Sequence, residues 1–209
     1  MHQTLRLSAL LLLLLAGLAA FRAATPEFEG RIIYQYSFTD LQGNDISARM
    51  TPFFGQQQRY YVKGGMYKAY NERDEWMQLY EPGPNLYHYF SGGKVAQTFK
   101  AGDAAGPAKT TALPTPETIL GRRCQGVQIE ADGATTSYFY SPEVRVNPAL
   151  YRQHNFGHWN TLLDASQGAL PLLFTSVNPK QGFIMKAVAI EITPMKLKAE
   201  DFVLPAGAK

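Results

Sequence analysis

Beyond residue 30 the apolar and polar positions of this chain alternate. In residues 31–38, Ile32, Tyr34, Tyr36 and Phe38 fall on one face, and Arg31, Ile33, Gln35 and Ser37 on the other. Successive side chains of an extended chain point to opposite sides, so a period of two predicts a half-buried strand. Turn signals then recur at short intervals. Gly64-Gly65 separates residues 59–63 from 66–70, and Glu81-Pro82-Gly83-Pro84-Asn85 separates 76–80 from 86–90. Gly92-Gly93 precedes the run 95–99, and Asp132-Gly133 joins 125–130 to 135–140. Such pairs supply the positive φ that tight hairpins need. Short strands with turns between them predict an antiparallel meander, a sandwich or an open barrel.

The rhythm changes twice. Residues 101–116 (AGDAAGPAKTTALPTP) have little large apolar content and three prolines, which predicts a flexible link between two β halves. Residues 147–163 break the alternation, predicting one or two short helical turns that start at Asn147-Pro148. Strand patterns return at 172–177 and 183–192. The second is apolar on both faces, with Ile184, Val188, Ile190 and Ile192 on one and Phe183, Met185, Ala187 and Ala189 on the other. Such a strand needs cover on both sides, from a helix or from a cavity lined by the sheet.

The first residues follow another logic. Residues 1–6 are polar and basic, and 7–21 are unbroken apolar or small residues with six leucines at 10–15. That length suits a secretory signal and falls short of the roughly 20 residues that span a bilayer. Residues 1–24 are therefore expected to be a cleavable signal peptide, and 25–209 a single β-rich domain without a membrane-spanning segment. Arg6 and Arg22 would leave with the leader, which reduces the net charge from +3 to +1. A near-neutral surface gives no electrostatic case for nucleic acid. Cys124 is the only cysteine and lies in an apolar run, so it reads as a small buried hydrophobe. With no cysteine pair, no lipidation cysteine and no glycosylation sequon, the expected location is periplasmic or secreted, in a bacterial envelope.

Candidate chemistry is sparse. No nucleophile elbow, phosphate loop, dinucleotide fingerprint or zinc-protease motif occurs, so neither a catalytic residue nor a cofactor is expected. His154 and His158 have the spacing of two ligands on one helical face, but Asn155 and Gly157 weaken a helix there and no third ligand follows; they read as polar loop histidines and no metal is expected. Asp40 and Asp45 read as turn residues, and Glu72, Asp74 and Glu75 around Arg73 as a solvated turn. Aromatic content is the functional lead, with 12 Tyr, 12 Phe and 2 Trp. Tyr34, Tyr36, Trp76, Tyr138, Tyr140 and Trp159 are the candidates for lining an apolar pocket, with polar tips that orient a ligand. The bland alternative is that they are simply core.

An ordered set of short segments resembles a known family. These are FEGRIIY at 28–34, TILGRRC at 118–124, TSYFYSPE at 136–143, VNP at 146–148, GALPL at 168–172 and DFVLP at 201–205. Together they resemble the DUF4412 family of exported bacterial proteins. The middle is also similar to the GLPGLI family, whose Gly-Leu-Pro is only partly kept at Gly168-Ala169-Leu170-Pro171. The resemblance implies a fold like the LolA and LolB lipoprotein carriers. That is a mainly β architecture: a curved antiparallel sheet, an incomplete barrel, with short helices on the concave side. By analogy of fold it implies a non-enzymatic binding module for a lipid or other hydrophobic ligand. The competing expectation is an envelope interaction protein with a filled core, which docks a protein partner through a strand edge or surface patch.

Overall fold

The computed structural model describes residues 26–205 and 207; the expected signal peptide lies outside the described residues. Eleven strands form one antiparallel sheet in the order β6-β5-β4-β3-β2-β1-β11-β10-β9-β8-β7. The first meander comprises β1 (Gly30–Asp40), β2 (Gln57–Lys63), β3 (Met66–Tyr70), β4 (Trp76–Glu81), β5 (Leu86–Ser91) and β6 (Lys94–Lys100). The second comprises β7 (Lys109–Ile119), β8 (Arg122–Ala131), β9 (Ala134–Arg145), β10 (Ala169–Asn178) and β11 (Phe183–Pro194). They join where β1 pairs with β11, and β6 and β7 are the two edges. The chain is mainly β and the sheet is not closed.

The sheet is strongly curled. Eleven strands laid flat would measure about 48 Å across. Yet Lys100 at one edge and Lys109 at the other are joined by a segment that reaches at most about 30 Å. Aromatic rings fill the concave side. Tyr34 of β1 and Phe174 of β10 meet with centroids 6.0 Å apart across the intervening β11, which at this level offers the small Ala187 and Ala189 on that face.

Short helices close the concave side from two directions. Helix α1 (Ser47–Phe54) sets Phe54 against Phe38 and Phe183, at centroid distances of 5.3 and 6.0 Å. Two 3-10 turns, Pro148–Tyr151 and Phe156–His158, lead into α2 (Trp159–Ala165). Tyr151 Oη donates to the Gly64 carbonyl at the β2–β3 turn, 2.9 Å, which ties this segment to the opposite end of β1 from α1.

Two expectations need correction, and one element was not expected. Residues 109–116 of the anticipated link belong to edge strand β7. That strand is exposed over most of its length, so nothing selects the apolar alternation that would reveal it. Its Pro114 and Pro116 sit where the β7–β8 register shifts, as prolines in edge strands do. In β11, Ile192 lies on the concave face opposite Ile32 and not with Ile184 and Val188, because an irregularity at Ile190 flips the alternation. Helix α1 has no counterpart in the sequence pattern; it has no side-chain cap and contains Pro52.

Candidate functional site

Midway along β1, between α1 and α2, the aromatic filling is incomplete. A cavity of 240 Å³ remains, walled by Tyr34 and Tyr36 of β1, Gln58 and Tyr60 of β2, and Gln78 of β4. Tyr138 of β9, Pro171 and Phe174 of β10 and Trp159 of α2 complete it. From β4 to β9 the order spans six strand spacings, about 29 Å if flat. Only curvature brings these side chains to one small space. A second cavity of 170 Å³ is lined by Tyr67, Tyr87, Phe156 and Gly157 and shares Tyr60, Gln78 and Trp159 with the first.

Each wall is held in place. Tyr34 Oη donates to the Pro171 carbonyl, 2.7 Å, where β10 departs from regular pairing with β9. Tyr87 Oη donates to Gln78 Oε1, 3.0 Å. Trp159 begins α2 directly after Gly157 (φ 63°) and His158 (φ 57°), two successive left-handed residues. His158, a residue type that adopts this region at some strain, is anchored by Nε2 to Asp132 Oδ2 at 3.0 Å.

The site is neutral. No acid, lysine, arginine or histidine is among the residues that wall either cavity. Burial pushes the Tyr34, Tyr36, Tyr60 and Tyr138 phenols above their usual range, so they stay protonated. Two polar atoms are left over. Tyr60 Oη and Trp159 Nε1 are buried without a hydrogen-bond partner, on residues that border both cavities.

Of the sequence candidates, the structure brings Tyr34, Tyr36, Tyr138 and Trp159 together. Tyr140 shares the concave face but lies under α2 with Val127, Ile129 and Leu162. Trp76 is on the opposite face, because β3 and β4 slip register between Ala69 and Tyr70 and pair it with outward-facing Tyr70. There it stacks on Phe90, centroids 5.3 Å apart, beside Phe202. Tyr60, Gln58, Gln78 and Phe174 were missed, although the alternation of β2 placed Tyr60 and Gln58 on one face.

The remaining chemistry resolves locally. His154 and His158 are both buried, unlike loop histidines, and do not face each other. His154 Nε2 shares a 2.7 Å hydrogen bond with Tyr67 Oη, and burial lowers the imidazole to about 4. Among the described residues no group of three metal-ligating side chains occurs. The Glu72–Glu75 turn pairs internally, Arg73 meeting Glu72 at 3.2 Å and Glu75 at 2.9 Å. The Asp40 carboxylate accepts from the Gln42 and Asn44 backbones. Cys124 is a free, buried thiol whose pKa burial raises. On the convex face His88 bridges Thr98 Oγ1 and Glu81 Oε2, each at 2.8 Å. This chain across three strands satisfies both nitrogens of a buried imidazole. Among the described residues no helix is long and apolar enough to cross a membrane.

No protein-family model matches the chain, and no curated protein matches it. Among solved structures it is similar to PNGF-II, at 11% identity and a TM-score of 0.45 over 82% of this chain; it spans 29% of that protein's length. It is also similar to a LolA superfamily protein from Nitrosomonas europaea, at 10% identity and a TM-score of 0.37, covering 86% of this chain and 91% of that one. At these scores the likenesses carry nothing about function.

Proposed function

We propose that this protein is an exported, non-enzymatic binding module that takes up a lipid or other hydrophobic ligand on the concave face of its sheet. The observation that supports this is the aromatic-lined cavity beside Trp159, whose wall also carries the amides of Gln58 and Gln78. Binding pockets are mostly apolar with a few placed polar groups, and this one has that composition. At 240 Å³ it is smaller than the roughly 300–1,000 Å³ of drug-sized sites. It suits a slender ligand, such as one end of a single acyl chain. We further propose, on the ordered sequence segments alone, that the chain belongs with the DUF4412 exported proteins and works in a bacterial periplasm or outside the cell.

Native mass spectrometry of the mature protein, purified from its own envelope, tests the reading. Added mass that is lost on mild delipidation, and identifiable as a lipid, is the expected result. A bare processed chain that takes up no lipid on incubation would favour the envelope interaction protein instead. That alternative draws on the two free strand edges, of which β7 is 11 residues long.

A further inference from the structure

Apart from the aromatic cavities, we propose that the protein carries a second kind of site, which binds a carboxylate group in a polar pocket between β9 and the end of α2. The pocket measures 190 Å³, and its polar walls are Gln125 of β8, Tyr140 and Arg145 of β9, and Ser166 and Gln167 just after α2. It shares no residue with either aromatic cavity.

The fold builds this pocket at an irregularity. Between Tyr140, opposite Pro171, and Arg145, opposite Ala169, β9 has four residues where β10 has one. Such an excess bends a strand and re-aims its side chains. The backbone of Arg145 is pinned, since its carbonyl accepts from the Phe28 N–H at 2.6 Å. On the other wall, Gln167 (φ 55°) and Gly168 (φ 85°) turn the chain from α2 into β10.

Charge selects the ligand. Among the described residues four arginines are half-buried. Arg31, Arg59 and Arg122 each meet a carboxylate, of Glu191, Asp74 and Glu143 respectively. Arg145 has no ion pair and no side-chain hydrogen bond among the described residues, and no acid walls its pocket. A guanidinium is always charged and is seldom buried unpaired. A carboxylate would complete it through two parallel N–H···O bonds. Neutral donors stand beside it. Tyr140 Oη has no partner among the described residues and, unlike Tyr60 Oη, is not sealed from solvent. Burial raises the Tyr140 phenol, so it stays protonated and can donate. The carbonyls that end α2 do not oppose an anion, because those of Leu162, Leu163 and Asp164 accept from the N–H groups of Ser166, Gly168 and Gln167. One guanidinium balances one negative charge. That suits a carboxylate and leaves a dianion such as phosphate partly unmatched.

Benzoate tests this against benzamide, a neutral molecule of the same shape, and against inorganic phosphate. Each is titrated into the mature protein at neutral pH and constant ionic strength, followed by backbone amide shifts in two-dimensional NMR. Benzoate is expected to give saturable shifts centred on residues 140–145 and 165–169, and to bind at least about tenfold more tightly than benzamide. Arg145→Gln should weaken benzoate at least about tenfold. Arg145→Lys, which keeps the charge and loses the fork, should weaken it about three- to tenfold, and Tyr140→Phe about two- to fivefold. The melting temperature of unliganded Arg145→Gln should be unchanged or raised, because no partner within the protein is lost; a purely structural arginine would lose stability instead.

Benzamide binding as tightly as benzoate, or phosphate binding more tightly, would overturn the carboxylate site. So would benzoate shifts centred on β1 and β2, undiminished affinity in Arg145→Gln, or no binding of benzoate at all. Each of these results leaves the reading of the aromatic cavity standing, since the two sites have no residue in common.

Discussion

At the scale of single residues, burial decides the chemistry. His154 sits against Tyr80, ring centroids 4.1 Å apart, with Nε2 committed to Tyr67 and Nδ1 unpartnered. A charge is poorly tolerated there, and the imidazole falls from its ordinary 6.5 to about 4. In the unfolded chain it titrates near its ordinary value. The unfolded state therefore takes up the proton first as pH falls, and stability is lost between about pH 6.5 and about pH 4. The His154 share is at most about 3.5 kcal/mol, since one pKa unit corresponds to about 1.4 kcal/mol. Urea unfolding across that range should show the loss, and His154→Gln should flatten it. An unchanged slope in the variant would place the acid sensitivity elsewhere. The same residue illustrates what the sequence hid. His154 and His158 look like a ligand pair by spacing, but a left-handed Gly157 and His158 turn them to different partners.

At the scale of elements, strands were legible where one face is buried and the other is not. The hairpins at Gly64-Gly65, Gly92-Gly93 and Asp132-Gly133 formed where the turn residues placed them. Edge strand β7 and helix α1 escaped, the first because it is exposed on both faces and the second because it lacks a cap. The C-terminal 3-10 turn, Ala199–Phe202, is held by packing and by its own cap, the Asp201 carboxylate accepting from the Lys198 N–H at 3.0 Å. It lays Phe202 over the convex face with Leu79 and Phe90, and Lys68 Nζ lies 5.2 Å from the Phe202 ring and 5.7 Å from that of Trp76. Lys68 also donates to the Asp201 carbonyl, 2.7 Å. Phe202→Ala should cost about 3 kcal/mol and render the segment after Met195 sensitive to limited proteolysis. A loss below about 1 kcal/mol would mean that the tail is not part of the cooperative fold.

At the scale of the molecule, the two meanders depend on one another. The main core runs from Tyr80 and Tyr87 of the first to Val144 and Leu172 of the second, with Tyr151 and Leu163 among them. The segment after β6 is pinned in the same way, since Asn155 and Phe156 both donate backbone N–H groups to the Ala101 carbonyl. Neither half can bury its aromatic face without the other. Urea unfolding is therefore expected to be a single transition, coincident by tryptophan fluorescence and far-ultraviolet circular dichroism. Two separated transitions would mean that the halves fold as independent units.

What the sequence determined by itself was local: the period of two, the turn chemistry, the mainly β class and the aromatic residues of β1 and β9 that reach the cavity. These follow from which side of a strand a residue occupies, and that is written in the alternation. Only the tertiary structure decided which aromatics meet. One register slip between β3 and β4 sent Trp76 to the convex face, and one irregularity in β11 turned Ile192 inward. The cavity exists because the sheet curls over alanines at 187 and 189 and because α2 brings Trp159 to its wall. Curvature sums small twists over eleven strands. No single segment of the chain records that sum.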